Sequence, residues 1–425
     1  MESTLAPDTR VAVRPFSHRK EGDEAIIGDI ERQVFLAIPV EGLDVLESLS
    51  AGNTVAETVR RYEEKHGETP DIEDFLDALR AEGFVSTGTA VAAEPEHRHS
   101  DKFREIRRWS LNWISPAVAR RLTSWPVVGL LLLIFAAGVA MAVTDPGLIP
   151  STNVLLFLDG SDQIAPLILA TFGIALTGLV VHELAHAVVA RSTGASASLG
   201  LGNLMYLLVA QTHMDGLWLA GKGKRYLAFM AGILVDLATA AVFVGLLWGE
   251  RHGAFALPHT VSVLAKTSLV TYTLRINFQV FMYLRTDIYY VLATALRCRN
   301  LMGDTETLLR NVFARLTFRR SHVVDQSGIG RREMIKVRGY AVFYVLGRLL
   351  ALAVLFGVIL PLLWAYVGQF VLLVTGRPTR FTPIDFITIA SISFLLNGTG
   401  LVMWVNALIR GSRERRAARA AAAAA

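Results

Sequence analysis

One cysteine, Cys298, stands in a chain of 425 residues. No internal disulfide can form, and no thiolate cluster can hold a metal, so any zinc must be held by His and carboxylate. Charge is also scarce: Asp, Glu, Lys and Arg make up 19% of the residues against 52% hydrophobic, and the apolar residues come in long blocks. That is a high apolar share for a soluble protein, and the blocks read as membrane spans. The N-terminus has no early apolar run, so no cleavable signal peptide is expected. The segment Thr144 to Asp162 contains no Lys or Arg. Elsewhere the basic residues flank the apolar blocks. The net charge of +5 therefore reads as membrane topology, and nucleic acid is not expected as a partner.

Against this background one polar group stands out. Val180 to Ala190 contains His182, Glu183 and His186 in the spacing H-E-x-x-H, within the otherwise apolar run Ile164 to Ala190. On a helix the two histidines lie one turn apart on one face, where they can grip a Zn²⁺, with Glu183 beside them as a general base. Ionisable side chains at membrane depth are costly and usually functional. A catalytic zinc takes three protein ligands and leaves one position open. Asp287, in Leu284-Arg285-Thr286-Asp287-Ile288-Tyr289-Tyr290, is the expected third ligand, since topology brings it to the depth of the histidines. It could instead pair with Arg285 or Arg275. His213 and Asp215, in the Gly-rich stretch Gly194 to Gly216, compete for the third position, and His213 or Asn277 could contact substrate or an oxyanion. That stretch reads as a re-entrant loop or strand pair, tolerated at membrane depth where it lines a cavity. Asp236 and Arg275, each inside an apolar segment, are expected to form an ion pair.

Six spans are expected, near 125–143, 164–190, 226–248, 261–284 (with a helix continuing through 296), 340–366 (with a kink at Pro361) and 386–409. The basic flanks put both termini in the cytosol. Residues 1–13 read as disordered and 14–88 as a small soluble α+β domain. Strand-like runs sit at Ala25–Ile27 and Gln33–Ile38, separated by a turn at Gly28-Asp29. Three helices follow, the second with Thr54 and Glu57 as a capping box. Residues 89–124 read as a linker, with solvated His97 and His99, leading into a basic amphipathic helix over Asp101–Arg121 on the membrane face. A four-span core covers 125–300, a basic cytosolic segment 301–338, two further spans 339–410, and a basic, Ala-rich tail 411–425.

Two resemblances follow from these residues. Val34-Phe35-Leu36, Gly42 to Leu46, Thr54 to Val59 and Phe75 to Leu79 make 14–88 similar to PqqD-like domains, which are winged-helix-like and bind leader peptides of ribosomally made, modified peptides. His182, Glu183, His186 and Asp287 resemble the site-2-protease-like intramembrane zinc metalloproteases, in their peptide-processing bacterial branch. There, the histidines and Asp287 would be the zinc ligands and Glu183 the catalytic base. Ile288 departs from the glycine usual after that Asp. Together the resemblances imply a mainly α, polytopic protein of about six transmembrane helices in a bacterial cytoplasmic membrane, with a PqqD-like cytosolic domain. They imply a zinc endopeptidase that removes the leader from a recruited precursor. Alternatives are cleavage of a membrane-bound regulator, or a non-catalytic peptide-binding export or immunity protein.

Overall fold

The computed structural model describes residues 8–29, 34–87, 103–149, 163–204, 207–296, 298, 300–318, 323–327, 329–379, 381–398, 400–403, 405–406 and 409. The expected solvated pair His97 and His99, most of the acidic loop after the first span, and the C-terminal tail lie outside these residues.

The N-terminal unit is built from strands β1 (Val11–Val13), β2 (Ser17–Glu21), β3 (Glu24–Asp29) and β4 (Val34–Pro39), helices α1 (Val40–Ser50), α2 (Val55–His66) and α3 (Ile72–Ala81), and strand β5 (Val85–Thr87). β2, β3 and β4 form one antiparallel sheet, and β1 pairs with β5. The unit therefore begins before residue 14. Val11 alternates inward, is 5% exposed, and joins a core with Ile27, Leu43, Leu46, Leu76 and Phe84. β2 is a strand with no apolar residue, Ser-His-Arg-Lys-Glu, which suits an edge position and leaves no alternation to read. Gly28 and Asp29 lie within β3 and not in a turn; Gly28 pairs with Phe35, whose ring occupies the space a Cβ would need. The Thr54 capping box is present, with Glu57 N–H on the Thr54 hydroxyl at 3.2 Å and the Glu57 carboxylate on Thr54 N–H at 2.9 Å.

The helix expected over Asp101–Arg121 is not what the described residues of that range form. Phe103–Ser110 forms strand β6, and only Pro116–Leu122 is helical (α4). The hairpin of β7 (Ser196–Leu204) and β8 (Leu207–Asp215) offers an open edge, and β6 completes it in the order β6-β7-β8. A basic segment with interleaved Trp fits either period, and the ladder partner decided between them.

Among the described residues five helices are long and apolar enough to cross a membrane: Trp125–Thr144 (α5), Ile164–Ser192 (α6), Lys222–Arg251 (α7), Arg331–Gly357, and Pro383–Met403. The expected fourth span is not among them. Its helix, α8 (His259–Phe278), packs against α6 and α7 and carries Lys266, Thr267, Ser268 and Arg275. A helix shielded inside a bundle needs less apolar surface than one facing lipid. It also does not run on through 296. It stops at Phe278, and a separate helix α9 begins at Asp287 (Asp287–Leu296). Helix α10 (Leu301–Leu316) then lies along α11 (Arg331–Val354). A π-helical turn at Leu355–Ile359 links α11 to α12 (Leu360–Val374). It directly precedes Pro361, which has no N–H for the ladder. The last span opens with α13 (Pro383–Ser393), where Asp385 caps its own helix at Thr382 and also accepts Ala165 N–H at the start of α6, at 2.8 Å.

The N-terminal unit is docked on the helical bundle. Glu21 of β2 meets buried Arg225 of α7 at 2.7 Å, and Arg19 donates to the Leu219 carbonyl at 3.3 Å. Arg225 also donates to the Trp218 carbonyl and lies over the Trp218 ring. Glu21→Lys would set a third cation beside Arg225 and Lys222. Hydrogen exchange at Ser17–Glu21 and Leu217–Leu219 should then rise about tenfold or more; unchanged protection would mean the ion pair does not hold the contact.

Within the N-terminal unit Asp44 joins α1 to α2 through Lys65 at 2.7 Å and His66 at 2.9 Å. Partial burial alone would raise its pKa, but the hydrogen bonds from Lys65 and His66 outweigh it and hold the carboxyl below its ordinary value. A lowered folded-state pKa contributes stability above the unfolded value, lost as pH falls through the folded one. Native-state exchange in α2, corrected for intrinsic rate, should therefore lose protection on going from roughly pH 5 to pH 3, and Asp44→Asn should flatten that dependence.

Candidate metal centre

His182 and His186 sit one turn apart on α6, 5% and 4% exposed, with ring centroids 4.9 Å apart. Each ring is held by α7. His186 Nδ1 lies 2.6 Å from the Ala228 carbonyl. A carbonyl only accepts, so Nδ1 carries the proton and Nε2 carries the lone pair. His182 packs flat on Gly232, where an added Cβ would fall 2.5 Å from the ring. Its Nδ1 is 2.9 Å from Asp236 Oδ2. Glu183, between the two histidines, is buried, and its backbone carbonyl accepts from Thr212 of β8 at 2.9 Å. The hairpin thus lies directly on the histidine-bearing turn.

Asp287 arrives from the other side. The break between α8 and α9 passes through Arg285, which has a left-handed φ of 56°, and puts Asp287 at the N-terminus of α9. Gln279 orders this break. Its Oε1 accepts Asp287 N–H and its Nε2 donates to Asp287 Oδ2, both at 3.1 Å, while its carbonyl accepts from Thr286 at 2.7 Å. Ile288 has no positive φ, so the backbone beside Asp287 does not require the glycine that the resemblance leads one to expect.

The three ligand atoms converge within 4.8 Å of one another. Asp287 Oδ2 is 3.1 Å from His182 Nε2 and 3.4 Å from His186 Nε2. A tetrahedral zinc with bonds near 2.1 Å spaces its ligands at about 3.4 Å, so the separations fit. The chemistry fits as well. His186 Nε2 is buried and makes no hydrogen bond. A lone pair facing a carboxylate oxygen is repulsive, and a cation between them makes both contacts attractive. Two imidazoles and one carboxylate are a donor set suited to zinc.

The other expected site residues are not among the three converging ligands. Asp236 and Arg275 are joined: Arg275 Nε donates to Asp236 Oδ2 at 2.8 Å, and Nη2 to Oδ1. Arg275 is thus committed to Asp236 and to the Ala175 and Gly178 carbonyls. His213 is half-buried on β8 with its ring across Gly200, and Asp215 pairs in register with Ser196; neither joins the metal group. Asn277 is exposed at the end of α8 and likewise lies outside it. Gln279, Gly232 and Ala228 went unforeseen. Gln279 is one polar residue after an apolar helix, and the other two act through a missing Cβ and a backbone carbonyl, which leave no pattern.

The chain matches no protein-family model, no curated protein and no solved structure. The geometry alone therefore carries the functional argument. Gly232→Ala should push the His182 ring off its seat and weaken zinc binding about tenfold or more, measured by competition with a chromogenic chelator on the purified chain. Unaltered affinity would show that the ring tolerates the methyl group.

Proposed function

We propose that this chain is a membrane-embedded zinc endopeptidase of the site-2-protease-like kind. The observation that carries the reading is the convergence of His182 Nε2, His186 Nε2 and Asp287 Oδ2 around a space of zinc size, with Glu183 buried beside it. Zinc held there would act as a Lewis acid toward a water and the scissile carbonyl. Glu183 takes the proton of the attacking water as its oxygen bonds to the carbonyl carbon. It passes that proton to the nitrogen as the peptide C–N bond breaks. The fixed imidazoles and the Gln279-held carboxylate keep the three ligand atoms in place, so little reorganisation is needed during the reaction.

A peptide bond can be attacked only when its backbone is extended. β8 is the outer strand of its sheet and touches Glu183 through Thr212, so a segment laid along it runs past the site. α8, about 30 Å long at 1.5 Å per residue, serves as a further crossing shielded within the bundle, giving six spans and cytosolic termini as the basic flanks suggest. The substrate is a ribosomally made, modified precursor peptide, and the product is the peptide freed of its leader. This choice is favoured by the N-terminal unit, which resembles a leader-binding domain and is docked through Glu21 and Arg225 at the helix that seats both histidines. A leader held there raises the local concentration of the cleavage site.

Glu183→Gln should keep one zinc per chain and lose cleavage of a precursor peptide by about 10²-fold or more, with zinc counted by mass spectrometry and product by chromatography. Undiminished cleavage would reject Glu183 as the base.

A further inference from the structure

Asp236 and Arg275 are more than a paired charge inside an apolar bundle. Asp236 is 1% exposed, and its Oδ2 serves two neighbours at once, His182 Nδ1 at 2.9 Å and Arg275 Nε at 2.8 Å. Arg275 also reaches back to α6. Its Nη2 donates to the Gly178 carbonyl at 3.2 Å and its Nη1 to the Ala175 carbonyl at 3.4 Å. Gly178 lies about one turn before His182 on the same helix. The guanidinium stacks over Tyr272, 4.6 Å from its centroid, and the missing Cβ of Gly178 leaves room for both Tyr272 and Arg275. Arg275 thus acts on His182 indirectly by two routes, the turn that precedes it and the carboxylate that holds its ring.

Both oxygens of Asp236 accept from the Arg275 guanidinium, which can only donate, so Oδ2 faces His182 Nδ1 as an acceptor. Asp236 therefore keeps the His182 proton on Nδ1 and leaves the Nε2 lone pair for the metal. Arg275 grips both oxygens of Asp236 and so fixes the plane of its carboxylate. Ala228 does the same for His186 with a backbone carbonyl, which no side-chain substitution removes; the His182 side is the one that depends on side chains. Resting on the metal-site reading above, we propose that Asp236 and Arg275 are positioning residues of the metal centre, which set the tautomer and orientation of His182 from the face opposite the metal.

The test uses the full-length chain purified in detergent, with zinc affinity measured against a competing chelator and Co²⁺ as a spectroscopic probe. In Asp236→Asn, Arg275 holds the amide oxygen and turns the amide NH₂ toward His182 Nδ1, which favours the wrong tautomer. Zinc affinity should fall about 10–100-fold, the range for lost orienting partners, and the visible Co²⁺ bands should change. A lone buried Arg275 could also unfold this variant, so the charge-free pair Asp236→Leu with Arg275→Met is made alongside it. That pair should unfold within a few degrees of the parent and still lose affinity to a similar extent. Arg275→Lys keeps the charge but not the two-pronged grip, and should lose less. A folded charge-free pair with parental zinc affinity and parental Co²⁺ bands would overturn the proposal and reduce both residues to bundle contacts. If His182→Ala loses zinc while that pair keeps it, the metal reading stands and only this inference falls. A parent chain that takes up no zinc sinks both.

Discussion

Placing ionisable groups inside an apolar bundle is expensive unless each one finds a partner, and this requirement organises the centre of the molecule. His182, His186, Asp287, Asp236 and Arg275 all lie in or between apolar helices. Each is tied down by another member of the group, by Gln279, or by the Ala228 carbonyl. The partners come from different helices. α6 brings the histidines, α7 brings Asp236, Ala228 and the flat seat at Gly232, α8 brings Arg275, and α9 begins at Asp287. Satisfying the polar groups therefore fixes how the helices pack. Small residues allow the close approach. Gly138 of α5 lies against Ala241 of α7, and Gly178 leaves room for Tyr272.

The surrounding elements extend this arrangement outward. On one side α6 buries Ala187 and Ala190 against Leu111, Ile114, Ala119 and Ala197, which couples it to the strand sheet and to α4. On the other side Val189 packs with Leu217, Ala228 and Phe229. Arg191, just past the site, closes this layer by donating to the carbonyls of Ile114, Asn112 and Ala195. At the opposite end Asp385 ties the last span to the first turn of α6. The helix with the histidines is thus held at both ends and on two faces, as a preorganised metal site requires. Arg225, which receives the N-terminal unit through Glu21, lies one turn before Ala228. The contact between the N-terminal unit and the bundle therefore lies one turn from the seat of His186.

How much of this could be read in advance varied with the range of the interaction. The capping box at Thr54, the three N-terminal helices and the histidine-bearing span are set by neighbours within a few residues, and they stand where the periodicity puts them. β2 and β6 escaped notice because a strand owes its existence to a partner elsewhere in the chain, and neither carries a clean alternation. The break after Phe278 escaped for a similar reason. Nothing in Gln279 to Thr286 is a strong breaker. The turn is held by the Gln279 side chain and carbonyl, whose partners, Thr286 and Asp287, are themselves brought there by the bundle.

The order of residues alone establishes that the chain is mainly helical and largely apolar, that one helix carries His182, Glu183 and His186 in the spacing H-E-x-x-H, and that any metal must be bound by nitrogen and oxygen. These follow from composition and helical spacing, which are local. The packed bundle is what brings Asp287, and not His213 or Asp215, to the histidines. It also decided that Asp236 serves His182 as well as Arg275, and that a glycine and a backbone carbonyl hold the rings. These depend on which helices lie side by side and at what depth. Packing of the whole bundle sets that, and no local pattern records it.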